Sequence, residues 1–446
     1  MSLLTVDLAS SAANQVKYLR SLPAIRERCT RVHNLAQRDK LEYFEYHAEK
    51  ESEVIDFCSQ IIQRDFGTDY SKIPPHSRWR HFDVGRPRVQ PLIDSWKSSN
   101  PAPSDLEIAK RLIDLFLVSV LLDAGAGNQW KYTEQNGSAS FTRSEGLAVA
   151  SFDMFVNGFF SADAKDPFRV DAAALAKIST EKVSAAMQVT SANPMSGIEG
   201  RTGLLANLGQ ALQSTPEFFG DSARPGNMLD FLKTQSITTS SGKPKIHISA
   251  LFTLLIEGLN SIWPPSRTQL DGVSLGDVWP CISLAASGNP KLKTKSHAAA
   301  GEDLVPFHKL TQWTTYSLVE PIEKVLGWEV EGMEDMTGLP EYRNGGLLVD
   351  FGVLTLRPGA VSSYRETPDS LPKLPPSHPA IIEWRAMTVI ELDRIADGIR
   401  KKLNFPFTLA QVLESATWKG GREIAKQKRP ETGGPPIEIE SDGTVF

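Results

Sequence analysis

Apolar residues recur three and four positions apart along most of this chain, the spacing that lines one face of an α-helix. Between residues 13 and 41 the stripe runs through Val16, Leu19, Leu22, Ile25, Cys29, Val32 and Leu35, and Pro23 predicts a fresh helix start within it. "KESEVIDFCSQIIQRDF" places Val54, Ile55, Cys58, Ile61 and Ile62 on one broad face. "SDLEIAKRLIDLFLVSVLLDAG" has Ser104 in the N-cap position and then turns apolar on nearly all sides. That pattern predicts a buried central helix over 105–122, ended by Gly125. Further helices are predicted over 144–156, 171–187, 202–214, 226–234, 248–262, 303–327, 381–402 and 408–415. Strand signals are sparse. Alternation marks "GLLVDFGVLTL", residues 346–356, and "WKYTEQNGSASFT" carries an Asn136-Gly137 pair suited to a hairpin turn. Heptads, longer repeats and βαβ alternation are absent from the sequence. The pattern predicts a mainly α-helical fold with a few short β-strands, as one domain over 10–420 followed by a C-terminal tail over 421–446. The loosest packing is expected at 162–170, 285–303, 357–378 and from Gly420 onward, where Pro, Gly and charged residues gather.

Composition narrows the classes. The 446 residues are 41% hydrophobic, enough for a large core, so whole-chain disorder is excluded. A formal net charge of -5 offers no broad basic field, which argues against nucleic acid and anionic lipid as partners. A small phosphorylated ligand stays open, because it needs only a local Arg/Lys cluster. Cys29, Cys58 and Cys281 are far apart and lack metal-ligand spacing, so they read as reduced, buried thiols, with zinc not expected. No segment approaches the roughly 20 apolar residues of a membrane span, and the expected location is cytoplasmic.

Several short segments concentrate chemistry. In "LLDAGAGNQWKY" Asp123 stands at the end of the apolar helix, where the helix dipole disfavours a carboxylate by roughly 0.3–1 kcal/mol. It either ends the helix, accepting only backbone hydrogen bonds, or is presented to a ligand with a basic neighbour beside it and Trp130 or Tyr132 turned toward the same cavity. "RSEGLAVAS" adds Arg143 and Glu145 before a small-residue helix. In "SARPGNMLDFL" Arg224 sits beside a helix start, where a phosphate or carboxylate could bind, although such turns are also common structural features. "LGDVWPC" juxtaposes Asp277 with Trp279 as one wall for a planar polar ligand. "FHKLTQW" presents His308, Lys309, Gln312 and Trp313 at helical spacing. "TGLPEYRNGGLLVDFGVL" carries Glu341, Tyr342 and Arg343 before a Gly-Gly turn, and then Asp350 in apolar surroundings. Such a carboxylate must pair with an arginine or contact substrate. "HPAIIEWRAMTV" opens a helix with Glu383 and Arg385, the latter suited to pair with Asp350 or Glu341 or to grip an anion.

Serine-elbow, Walker, dinucleotide, HExxH and zinc-deaminase signatures do not occur. What remains is carboxylates, cationic groups and tryptophans on helix ends and turns, with no cofactor implied. Such a set suits cleavage of a C–N glycosidic bond, where a carboxylate faces developing oxocarbenium charge.

The strings "DAGAG", "RSEGLAVAS", "RPGNMLD", "LGDVWPC", "FHKLTQW" with "YSLVEPI", "TGLPEYRNGG" and "HPAIIEWRAMTV" resemble the uracil-catabolism protein four family, which carries the 1688 domain of unknown function. The resemblance covers roughly residues 10–420. It implies a part in degrading uracil to urea after ring opening. Pathway logic then suggests splitting of a ribosylurea-type, 5'-phosphorylated intermediate to urea and a ribose species, with a ring-opening enzyme as functional partner. "LTQWTTYSLVEPIEKVLG" is more distantly similar to the queuosine-salvage nucleoside hydrolases, which implies a compact, glycosylase-like helical fold. Thr315 stands where those proteins carry their catalytic aspartate, so the resemblance leaves two options: Asp350, Asp123 or Asp277 supplies that carboxylate from another element, or the chemistry of this family differs. A ureido or amide hydrolase of the opened ring, and a non-enzymatic nucleotide-binding partner protein, are the alternatives.

Overall fold

The computed structural model describes residues 12–134, 139–287, 301–441 and 443. It is mainly α-helical with a few short strands, and its contacts divide it into two compact units. Among the described residues no helix is long and apolar enough to cross a membrane.

The first unit comprises Met1–Pro75, Pro265–Lys309 and Glu334–Glu440. Its axis is the helix Pro379–Leu403, which packs on the helices Leu22–Ala36 and Glu51–Phe66. Pro379 opens the axial helix under a His378 side-chain cap, Arg400, Lys401 and Lys402 suit the dipole of its last turn, and Asn404 ends it at φ 49. Two antiparallel ribbons brace this core: Phe44–Tyr46 with Leu354–Leu356, and Val278–Pro280 with Leu304–Pro306. Residues 346–350, expected as strand, instead belong to the helix Tyr342–Asp350, and only Leu354–Leu356 is extended. Glu341 decides this locally, because its carboxylate accepts the free N–H groups of Arg343 and Asn344 and so caps a helix. The chain beyond Gly420, expected to be loosely packed, first completes the helix Trp418–Lys428, in which Gly421 lies against the Arg343 carbonyl with no room for a Cβ. Residues 288–300 of the expected loose stretch 285–303 lie outside the described residues.

The second unit comprises His76–Pro264, Leu310–Met333 and Ser441–Phe446. Its central helix, Asp105–Leu121, starts where Ser104 accepts the Glu107 N–H and is buried almost continuously from Ile108 onward. The helix Arg143–Val156 packs on it, with Ser151 Oγ bonded to Ser119 Oγ of the central helix, while Gly146 lies against Phe141 and Trp130. The helix Ile198–Ser214 lies alongside as well. Lys131–Thr133 pairs antiparallel with Ser140–Thr142, while the Asn136-Gly137 turn predicted between them lies outside the described residues.

Candidate functional site

In the second unit, Asp123 follows immediately after the central helix and its Leu122 cap. Gly127, at φ 84, takes the left-handed conformation of this turn; Gly125, expected to end the helix, does not. The basic neighbour is Arg78, from the short helix Arg78–Phe82: its Nη1 lies 2.7 Å from Asp123 Oδ2. Trp313 Nε1 donates to the same oxygen at 3.0 Å, and Ser144 Oγ donates to Oδ1 at 2.5 Å. A carboxylate offers about four acceptor positions, and among the described residues three are filled here. His76 stacks on Trp313 with ring centroids 4.6 Å apart, and His81 lies 5.5 Å away. Arg78 Nη1 also reaches His81 Nδ1 at 3.2 Å, and an arginine can only donate, so the His81 ring proton sits on Nε2. Burial lowers the Arg78 pKa, and the Asp123 charge opposes that shift.

In the first unit, Asp277 is completely buried and bonded on every side. Arg385 grips it in a fork, 2.8 Å to each oxygen, Trp279 Nε1 donates to Oδ1 at 2.7 Å, and the Lys309 N–H donates to Oδ2 at 2.9 Å. Burial pushes its pKa up, but Arg385 together with the Trp279 and Lys309 N–H bonds holds the carboxyl well below the usual range. Arg385, expected at Asp350, Glu341 or an anion, is therefore committed to Asp277. It also lies over the Phe307 ring at 4.1 Å. His308, at φ 47, holds the Leu19 carbonyl through Nε2 at 2.7 Å, and burial lowers its pKa. Glu341 is raised by burial, despite two backbone N–H bonds and the nearby Lys309 and Arg343 charges.

The remaining candidates have partners of their own. Asp350 takes the expected arginine, but it is Arg429, bonded to both oxygens. Arg224, considered for an anion, donates to buried Asp114 at 2.6 Å and pairs with Glu107 at 3.0 Å. Burial pushes Asp114 up to about 6 even so. Trp130 is wholly buried, with its indole N–H on the Met187 carbonyl, and the Tyr132 hydroxyl bonds Asp153. Neither polar atom bonds Asp123. Glu383 accepts from the Glu42 and Tyr43 N–H groups and from Ser283 Oγ, which ties the 42–43 turn to the axial helix. Arg343 donates to the Gly433 carbonyl and lies over the Tyr342 ring. Arg143, at φ 55, donates to Asn128, Glu145 lies in the first turn of its helix, and Gln312 is fully buried. Thr315 bonds the Thr311 carbonyl of its own helix. Among the described residues no three His, Cys, Asp or Glu side chains gather as metal ligands.

Sequence reasoning missed Arg78, His76, His81 and Ser144 as parts of a site. The available signal was the density of Arg and His in "PPHSRWRHF", an interval expected to be loop from its prolines, which forms the short helix Arg78–Phe82 and is rich in groups that require partners.

Fold and geometry define a mainly helical protein with an incompletely saturated Asp–Arg–Trp cluster at the end of a buried helix. Residues 18–446 match the family described as Protein of unknown function (DUF1688), and the chain belongs to that family. It is 42% identical over 445 residues to "Uracil catabolism protein 4" of Lachancea kluyveri, covering 97% of this chain and 99% of that protein. It is likewise 42% identical over 436 residues to "Protein urg3" of Schizosaccharomyces pombe, with 97% and 99% covered.

Proposed function

We propose that this chain acts in uracil catabolism as a hydrolase of an N-glycosidic bond, taking a ribosylurea-type substrate, 5'-phosphorylated at the ribose, and releasing urea and a ribose species. The pathway part of this reading is supported by the printed name of the Lachancea kluyveri relative. The chemical part is carried by one observation: among the described residues Asp123 retains an acceptor position while an arginine and a tryptophan N–H hold it. Asp277 has all four positions filled, and Asp350 is paired with the bidentate Arg429 without an aromatic N–H among its donors. In the reaction the C1'–N bond breaks, water supplies a hydroxyl to C1' and a proton to the departing nitrogen, and the Asp123 charge stabilises the ribosyl cation that develops between. Trp313 and Arg78 hold the carboxylate in one orientation, so no reorganisation is needed as charge appears.

The test is direct. Purified protein, without any partner, is incubated with ribosylurea and with its 5'-phosphate, and urea and ribose products are measured separately. Equal appearance of urea and sugar supports the reading. Release of ammonia in place of urea would make the chain a ureido hydrolase, and no turnover of either compound would reject the assignment.

A further inference from the structure

The Asp123 turn is held by a residue that bonds main-chain carbonyls and not the Asp123 carboxylate. Arg201, in the helix Ile198–Ser214, is wholly buried. Its Nε donates to the Leu122 carbonyl at 2.9 Å, its Nη2 to the Ala124 carbonyl and its Nη1 to the Ser196 carbonyl. Leu122 and Ala124 flank Asp123 in the chain, so one planar guanidinium fixes the main chain on both sides of that residue. Nearby, the Ser196 N–H donates to the Ala126 carbonyl at 3.1 Å, and a Cβ on Gly127 would lie only 2.9 Å from Ser196 Oγ. The turn from 122 to 127 is thus moulded onto the segment that opens Arg201's helix. That segment is seated in its own right: Gly197 starts the helix at φ 70, and a Cβ on Gly443 would collide with the Gly197 carbonyl. Electrostatics act in the same direction. Carbonyls at a helix C-terminus carry partial negative charge, and a guanidinium placed on them compensates both the dipole and the adjacent Asp123.

We infer that Arg201 is a positioning residue for the hydrolysis, acting through the Leu122 and Ala124 carbonyls to aim the Asp123 carboxylate. This rests on the proposed role of Asp123. A lysine is a point donor and cannot span three carbonyls as the guanidinium fork does. Arg201→Lys therefore keeps the charge but loosens the turn, and displacement of a reacting group by about 1 Å costs on the order of 100-fold in rate.

The experiment is a double-mutant cycle of Arg201→Lys with Asp123→Asn, with kcat and KM measured on ribosylurea 5'-phosphate and the folded fraction measured by circular dichroism. The expected result is a fall in kcat of roughly 10- to 100-fold for Arg201→Lys with KM little changed, and almost no further fall in the Asp123→Asn background. Gly127→Ala, which strains the same turn without touching Arg201, repeats the cycle should Arg201→Lys not fold, with the same expectation. Equal fold-losses in both backgrounds, or unchanged kcat in the folded variant, would overturn the positioning role while leaving Asp123 its function. Normal kcat in Asp123→Asn alone would instead overturn the proposed role of Asp123.

Discussion

Both units contain an aspartate held by an arginine and a tryptophan N–H, yet the two clusters differ in what they leave available. Around Asp277 every acceptor position is used, the side chain has no exposure, and its pKa is driven down by Arg385. Around Asp123 the third partner is a hydroxyl, one acceptor position remains, and the carboxylate side chain keeps 7% exposure. Residue types alone would make the two equivalent. Saturation separates them: a fully bonded carboxylate joins three chain segments, and an incompletely bonded one can still accept a hydrogen bond from a ligand or a water.

The largest effect should come from the saturated cluster. Asp277→Asn leaves buried Arg385 without a counter-charge, which should cost roughly 3–5 kcal/mol of stability in denaturant titration at neutral pH. Turnover per folded molecule should survive, and its loss at unchanged stability would move the site to the first unit. The pH dependence carries a definite sign. The folded pKa of Asp277 is depressed, so its stabilisation is present above the unfolded value near 3.9 and is lost as pH falls below it toward the folded value. The gap between the native protein and Asp277→Asn should therefore narrow on acidification, and a gap independent of pH would contradict the ion-pair account.

Next in size, Asp123→Asn should lower kcat by on the order of 100- to 1,000-fold. Arg78 has no exposure, so this variant should lose stability as well, and turnover has to be normalised to folded protein. A variant that is less stable but equally active per folded molecule would reduce Asp123 to a second structural aspartate. Ser144→Ala is milder: it removes the hydroxyl from Oδ1 while Arg78 and Trp313 still orient the carboxylate. It should cost about 1 kcal/mol of stability, with a smaller loss of turnover than Asp123→Asn. An equal loss would mean that Ser144, not Asp123, carries the effect.

The smallest effect concerns Glu341, which shifts in the opposite direction to Asp277. Its folded pKa is raised by burial, so its contribution is complete below the unfolded value near 4.3 and declines as pH rises through the folded one. Glu341→Gln should gain stability relative to the native protein as pH rises across that window, offset by up to about 1 kcal/mol for the weaker helix cap. A gain on acidification instead would reverse the assigned shift.

Much of this could be read along the chain. Helical spacing located the main helices, Ser104 marked the start of the central one, and the misplaced charge of Asp123 called for a basic or hydrogen-bonding group beside it. Local arithmetic failed where a cap outweighed alternation, as Glu341 did for residues 342–350. It also failed to pair charges far apart in sequence: Asp350 with Arg429, Asp277 with Arg385, Arg224 with Asp114.

By itself, then, the sequence determined the helical class of the protein, the family to which it belongs and the residue types that gather in its motifs. Those features depend on spacing within a few turns of one element, where neighbours in the chain are neighbours in space. Tertiary structure decided which aspartate is closed and which is open. That depends on how many donors reach a given oxygen, and at Asp123 they arrive from residues 21, 45 and 190 positions away.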